Sequence, residues 1–480
     1  MNKKILVLSV LFLFLIMGCV AKQQATVSAI GVMDPQYWKA QAIKDIIPFW
    51  EKTIDEDNGG FYTDVTCEGQ VEAGSKLPRM NSRVVFGFTA AYMLSGDEKY
   101  LRFAEHGMKY LSNMGWDKEN GGWYAFTDDY GDGDMGAKNM FDQTYGNLGP
   151  VFYYIVTGDK KALELAGQTH MLMNENAWDE KYGGYYSMVD NQWQNITTAK
   201  SFNAQLDTCT AYLIYYYLAT GDENLLKDLI RLCDVIVEKM VDKKTGFVGE
   251  SYTGDWTGKD VELWGGHNTK TGWVMMRMYY LTGNKEYLTA ARKIDSAQRK
   301  YMWDKKHGGW FFKFISTRPA SIDDSKDWWT QEEGNNLMLN MYYHSGDKKY
   351  IEIFKKSAEF WDKYFMDKTY GECYETLLAD GTPSSRVKGT MYKSAYHTME
   401  QALFNYLYLS LYVHKKDAEL YFNLSSQTEG QKHYVNILEA KEVKIKSVEI
   451  DGKAWEKFED DYVILPKGNN MKVKAVFGIK

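Results

Sequence analysis

Two histidines in this 480-residue chain stand where proton chemistry would want them: His267 in Gly265-Gly266-His267-Asn268, and His397 in Ser394-Ala395-Tyr396-His397. Each opens an apolar run with helical spacing. The other histidines, His106, His170, His307, His344, His414 and His433, do not open such runs beside Gly, Asn and Tyr. One histidine at a helix start is more often structural than catalytic. Two of them facing one cavity define a candidate site. An imidazole titrates near neutrality, so each can take or give a proton at working pH. Set on opposite faces of a sugar, one would remove a carbon-bound proton beside a carbonyl and the other would return it, inverting that carbon. Arg83 would polarise the carbonyl oxygen or hold an anionic substrate. Glu333 would hold hydroxyls or orient a histidine, and Trp328 or Trp329 would stack on a ring. The sequence has no Gly-rich phosphate loop and no His-x-x-x-His pair, so the chemistry is read without cofactor or metal.

A repeat must position these residues. Gly-aromatic turns recur, and their last glycines are Gly60, Gly122, Gly184, Gly246, Gly309 and Gly371, with steps of 62, 62, 62, 63 and 62. A second marker, Ser/Thr-Gly-Asp/Asn, has its glycines at Gly96, Gly158, Gly221, Gly283 and Gly346. Two markers on one beat mean a repeated supersecondary unit. Each unit reads as a charged amphipathic outer helix and a more apolar inner helix. Six units predict twelve helices closed into an (α/α)6 barrel, with an open solenoid as the weaker alternative. Sixteen residues before the second-marker glycines lie Asp142, Gln205, His267 and Thr330; thirteen before lie Arg83, Tyr145, Thr208, Lys270 and Glu333. Three residues apart on a helix share a face, so a closed ring would aim these at one mouth.

The ends differ from the repeat. Residues 1–18 read as a secretory signal, with Lys3 and Lys4 before an apolar stretch too short to span a bilayer. Ile16-Met17-Gly18-Cys19 resembles a lipobox with Cys19 as the lipidated residue. That predicts a bacterial lipoprotein of the outer membrane, held by its lipid alone, with residues 19–33 as tether and 34–417 as barrel. Period-two alternation in residues 418–480 predicts a small β module. Cys67, Cys209, Cys233 and Cys373 lack metal-ligand spacing and read as unpaired structural residues. A net charge of −7 with no basic block argues against nucleic acid as a partner and leaves a sugar substrate. The oligomeric state is not written in the sequence.

On these residues the chain resembles the N-acylglucosamine 2-epimerase superfamily, including its cellobiose 2-epimerase and aldose–ketose isomerase members. The matched pieces are Asn81-Ser82-Arg83, Lys138 to Tyr145, Lys200-Ser201-Phe202-Asn203, Gly266-His267-Asn268, Trp328 to Glu333, and Lys393 to His397. The resemblance implies proton exchange at C2 of a ring-opened sugar through a cis-enediol, with His267 and His397 as the acid/base pair. It implies Arg83 at the carbonyl and Tyr145, Trp329 and Glu333 around the substrate, and Asn203 and Trp328 are read as further substrate-binding candidates. Three stretches depart from the family pattern. Gln205 and Asp207 stand where a histidine is usual, Lys270 where glutamate is usual, and Glu400 where arginine is usual. Lys270 and Glu400 together would be a charge swap within one site. The runner-up function is a glycoside hydrolase or polysaccharide lyase on the same barrel. A hydrolase would draw its two carboxylates from Asp142, Asp207, Glu262 and Glu333. A lyase would use His267 or Tyr145 as base with Arg83 on a uronate. A glycan-binding protein without turnover is the third reading.

Overall fold

An aspartate opens each glycine turn in the computed structural model, which describes residues 31–480 except 129–131, 135, 318–319 and 386. The six are Asp55, Asp117, Asp179, Asp242, Asp304 and Asp367. Each carboxylate accepts the N–H groups two and three residues on. Each aspartate carbonyl accepts the N–H of the glycine four residues on. Those glycines, Gly59, Gly121, Gly183, Gly246, Gly308 and Gly371, have φ between 74° and 83°, which other residues adopt at a cost. Gly246 and Gly371 therefore match the first glycine of the pair, and Phe247 and Glu372 hold the second position. That is a one-residue correction to the register read from the last glycines.

An amide side chain on each of the first five inner helices clamps the backbone just past the turn. Asn81, Gln143, Gln205, Asn268 and Gln331 each accept one N–H and donate to the same residue's carbonyl, at Phe61, Trp123, Tyr185, Val248 and Trp310. Gln205, predicted as a possible site residue, is one of these clamps and points away from the cavity. The second marker is a helix punctuation. Its glycines have φ between 66° and 77° and end the inner helices; its Asp or Asn accepts the N–H two residues on and starts the outer helix.

Twelve helices follow, numbered in chain order. The outer ones are α1 (35–50), α3 (98–115), α5 (160–176), α7 (223–240), α9 (285–301) and α11 (348–365). The inner ones are α2 (78–95), α4 (140–157), α6 (203–220), α8 (265–282), α10 (328–345) and α12 (395–413). Adjacent inner helices pack around a full circle, and α12 packs on α2, so the ring is closed. The seam is tight: a Cβ added at Gly87 would lie 2.5 Å from Ala395 Cβ. The chain's first described helix, α1, completes the outer ring against α12. Val32 accepts a hydrogen bond from Trp38 Nε1, so the described end of the expected tether packs on the barrel; the signal segment and Cys19 lie outside the described residues.

Aromatic rings fill the axis. Phe86, Phe152 and Tyr215 contact one another in sequence at 4.6 Å, and Phe404 joins at 6.1 Å. Strands Ala418–Ser426, Gly468–Ile479, Val443–Ile450 and Lys453–Trp455 pair in that order, and Gln431–Tyr434 pairs with Tyr462–Leu465. They cover the end of the barrel where inner helices finish: Tyr421 lies against Gly96, and His433 Nε2 bonds Ile155 O. Glu439 enters this closed end and pairs with Arg277 at 2.7 Å, both fully buried. No helix among the described residues is long and apolar enough to cross a membrane.

Candidate active site

The inner helices begin at the opposite end, around a cavity of about 680 Å³. Its lining includes His267, His397, Arg83, Tyr145, Asn203, Trp328 and Trp329, and three of the further residues the sequence had named as possible members of the site, Asp142, Asp207 and Lys270.

Both imidazoles are held the same way. His267 Nδ1 lies 2.5 Å from Glu250 Oε2, and His397 Nδ1 lies 2.8 Å from Glu332 Oε2. A carboxyl group on Nδ1 holds the ring and leaves Nε2 for the cavity, and in its ionised form it sets the Nδ1–H tautomer. Phe202 and Trp264 lie parallel to the His267 ring, at 3.9 and 5.2 Å. The Trp329 indole reaches both histidines, at 4.8 Å from His267 and 6.1 Å from His397. Burial, then the positive charges of Lys270 and Arg83, pushes His397 well below the ordinary imidazole value. It is therefore neutral at pH 7. Burial raises the Glu250 carboxyl, with His267 opposing that shift.

Beneath the histidines, six residues form one layer, each two positions past the clamp position of its inner helix. They are Arg83, Tyr145, Asp207, Lys270, Glu333 and Glu400. The Arg83 guanidinium sits 3.7 Å from the Tyr145 ring centroid. Lys270 Nζ donates to Tyr145 Oη at 3.1 Å and to Asp207 at 2.9 Å, and pairs with Glu333 at 3.2 Å. The sequence register had put Thr208 in this layer. The backbone of Asn203–Leu213 runs as a π-helix, whose wider turn inserts one residue and brings Asp207 round instead. Thr208 bonds Thr144. Burial raises Asp207, but the charge of Lys270 together with His267 and the Asn203 and Lys270 hydrogen bonds outweighs it and keeps the acid ionised. Burial lowers Lys270, but Asp207 and Glu333 outweigh that and keep it charged.

Glu333 and Glu400 do not line the cavity. They lie under it with Glu332, where ligand atoms of these three and His397 are within 4.8 Å of one another. Three carboxyls that close cannot all ionise, and burial raises each of them, Glu333 to about 8. Such a group has cation-ligating atoms, but Lys270 already supplies a positive charge to it. Glu333 also accepts from Trp273 Nε1 at 2.5 Å and lies 3.8 Å from His397 Nδ1, so of its two expected roles its place beneath the floor fits bracing a histidine rather than lining the cavity. Lys270 and Glu400 do share one layer.

Two arginines bind the rim. Arg79 donates to Asp142 at 2.5 Å and to Met391 O, and Arg83 donates to Tyr392 O at 2.9 Å. The Arg83 Nε is buried without a hydrogen-bond partner among the described residues, although the arginine itself lines the cavity. Asn203 donates to Asp207 at 2.7 Å. On the facing wall Asp327 accepts from Thr376 at 2.8 Å and from Trp329 Nε1 at 3.3 Å. Burial pushes Asp327 up to about 7.

The carboxylates named for a hydrolase are not an opposed, free pair. Asp142 is bound by Arg79, Asp207 by Lys270, and Glu333 is closed off beneath the floor. Glu262, on the strand before α8, accepts from Lys313 and lies outside the cavity lining. Sequence reasoning missed Glu250, Glu375 and Ser187, all in the lining, and also Phe312. A signal existed: each lies eight residues after the turn aspartate of its unit. Glu332 stood inside a quoted motif but was not assigned to the site.

A closed (α/α)6 barrel with a paired-histidine mouth is the architecture of carbohydrate epimerases and isomerases. The chain belongs to the N-acylglucosamine 2-epimerase (GlcNAc 2-epimerase) family, which it matches over residues 60–401. It is 26% identical over 371 residues to a cellobiose 2-epimerase of Bacteroides fragilis, covering 73% of this chain and 93% of that one. It is 24% identical over 378 residues to a D-mannose isomerase of Marinomonas mediterranea, covering 74% and 93%. The solved cellobiose 2-epimerase of Bacillus thermoamylovorans shares the fold, with a TM-score of 0.73, 24% identity, and 77% and 98% of the chains covered.

Proposed function

We propose that this protein moves a proton at C2 of a ring-opened sugar, producing the 2-epimer or the corresponding ketose. The observation that carries the reading is the pair of imidazoles on one cavity, each with Nδ1 bonded to a carboxylate. Neutral His397 takes the C2 proton on Nε2. The C–H electron pair becomes the C1=C2 bond, and the carbonyl electrons move onto O1, giving a cis-enediolate. Arg83, in the cavity lining, is the cation that stabilises that oxygen. His267, hydrogen-bonded to Glu250, returns a proton to the opposite face of C2, which inverts it. Delivery to C1, with the O2 proton passing to O1 as C2=O2 forms, gives the ketose. Trp329 lies against both bases and offers a platform for the sugar ring.

The test is proton NMR in deuterated water with a panel of reducing mono- and disaccharides. Deuterium entering C2 with a new epimer or ketose, lost in His267→Ala and in His397→Ala, is the expected result. New reducing ends or unsaturated uronate signals without C2 exchange would move the protein to the hydrolase or lyase class. Saturable binding with no turnover would make it a glycan-binding protein. We also propose export as a lipoprotein on Cys19, supported by the charged and apolar segments before it. Mass spectrometry of the mature amino terminus from membranes tests this, and an unlipidated terminus would end the proposal.

A further inference from the structure

In five of the six repeats the hollow behind the turn is filled by a buried lysine. Lys76, Lys138, Lys200, Lys326 and Lys388 each reach the turn aspartate of their unit, at 2.5 to 2.9 Å. Four of them also donate to a carbonyl of the turn. Each lies 21 or 22 residues after its aspartate. In the fourth repeat that position, 21 residues after Asp242, is Leu263. Leu263 has no ammonium to send into the hollow. Asp242 instead pairs with Lys259 at 3.2 Å near the surface, where the lysine and aspartate side chains are 37% and 30% exposed.

The vacated place is open. A cavity of about 630 Å³ lies there, lined by Asp242, Phe247 and Leu263 on one side and by α9 on the other. Lys244, Lys259, Lys293 and Lys300 stand around it, against the single carboxylate of Asp242. That is a local excess of positive charge on a chain whose net charge is −7. Its apolar surface is aromatic: Phe247 and Phe314 stack at 5.3 Å, and Tyr301 meets Phe314 at 5.3 Å. Aromatic faces beside cationic and hydroxyl groups recognise a sugar ring that carries negative charge. None of these residues lines the barrel mouth.

We propose that this cavity is a second carbohydrate site, separate from the mouth, that binds a sugar bearing an anionic group. The ring lies on Tyr301 and Phe314, and the carboxylate or sulfate lies among Lys244, Lys293 and Lys300. Such a site would hold the protein on an acidic glycan while the mouth works on a reducing end.

Isothermal titration of the full chain tests this with four probes: tri-galacturonate, a sulfated trisaccharide, cellotriose and inorganic sulfate. The expected result is saturable binding of at least one acidic trisaccharide, with affinity falling as salt rises. Leu263→Lys restores the lysine of the other repeats and should weaken that binding about tenfold or more, as should Lys244→Glu with Lys300→Glu. The second variant alters exposed side chains and keeps the test valid if the first fails to fold. C2 exchange should be unchanged in both. Whichever acidic probe binds tells carboxylate from sulfate. Equal binding of cellotriose, equal competition by inorganic sulfate, or loss of binding in Arg83→Ala but not in these variants would overturn the proposal.

Discussion

His267 Nδ1 and Glu250 Oε2 are 2.5 Å apart, although 17 residues separate them in the chain. The glutamate comes from the segment after the fourth turn and the histidine from the start of α8. Glu250→Gln keeps the shape but loses the charge that stabilises an imidazolium. The expected result is a fall in kcat for C2 exchange of about a hundredfold, with a small change in KM. An equal loss confined to KM would assign Glu250 to substrate binding instead.

Lys270 pairs with both Asp207 and Glu333, and Glu400 lies in the same buried layer. Lys270→Met leaves buried carboxylates uncompensated, and a loss of about 3–5 kcal/mol in denaturant-measured stability is expected. Lys270→Glu and Glu400→Arg should each abolish exchange. The double variant should recover part of it if the two positions act as one swapped pair. Failure to recover would show that the layer tolerates only the present arrangement.

Asp327 supplies a pH dependence with a defined sign. Its carboxyl is raised from an ordinary value of 3.8 to about 7 by burial. The folded state thus binds more protons than the unfolded state between those values. Stability from this group is full below about pH 4 and is lost as pH rises through 7. The loss is a few kcal/mol at most, since a tenfold change in proton affinity is worth about 1.4 kcal/mol. Asp327→Asn should flatten melting temperature against pH across that window. An unchanged slope would place the titration elsewhere.

The Arg277–Glu439 pair ties the β module to the closed end of the barrel. Glu439→Ala strands a buried guanidinium, and a cost of about 3–5 kcal/mol is expected. Residual C2 exchange measured well below the new melting temperature should be near normal, because the pair is at the far end from the histidines. Exchange lost at a temperature where the fold is intact would mean that the module acts on the mouth.

The amide clamps make a test of the repeat. Gln205→Ala leaves the N–H and C=O of Tyr185 without their side-chain partners. A destabilisation of about 1–3 kcal/mol per stranded group is the upper expectation, read by chemical denaturation. A change in substrate preference would return Gln205 to the site.

Much of this was legible in one dimension. Turns and caps are local: an aspartate, a left-handed glycine and an N-cap act within four residues. The period, the helix ends and the helix count were therefore set by short-range pattern alone. The resemblance on Gly266-His267-Asn268 and Trp328 to Glu333 marked the site. Glu250 sat on the period, eight residues past Asp242, but its role was not visible, because it depends on a partner delivered by another segment. Thr208 stood in for Asp207, because a π-turn changes which residue faces inward without changing the sequence pattern much. Ring closure, the carboxylate on each Nδ1, the burial of Glu333 and Glu400, and the hollow left by Leu263 were decided by the tertiary structure. Each arises when helices distant in sequence close a low-dielectric space, where charges must find partners or protons, and no local rule specifies which partner arrives.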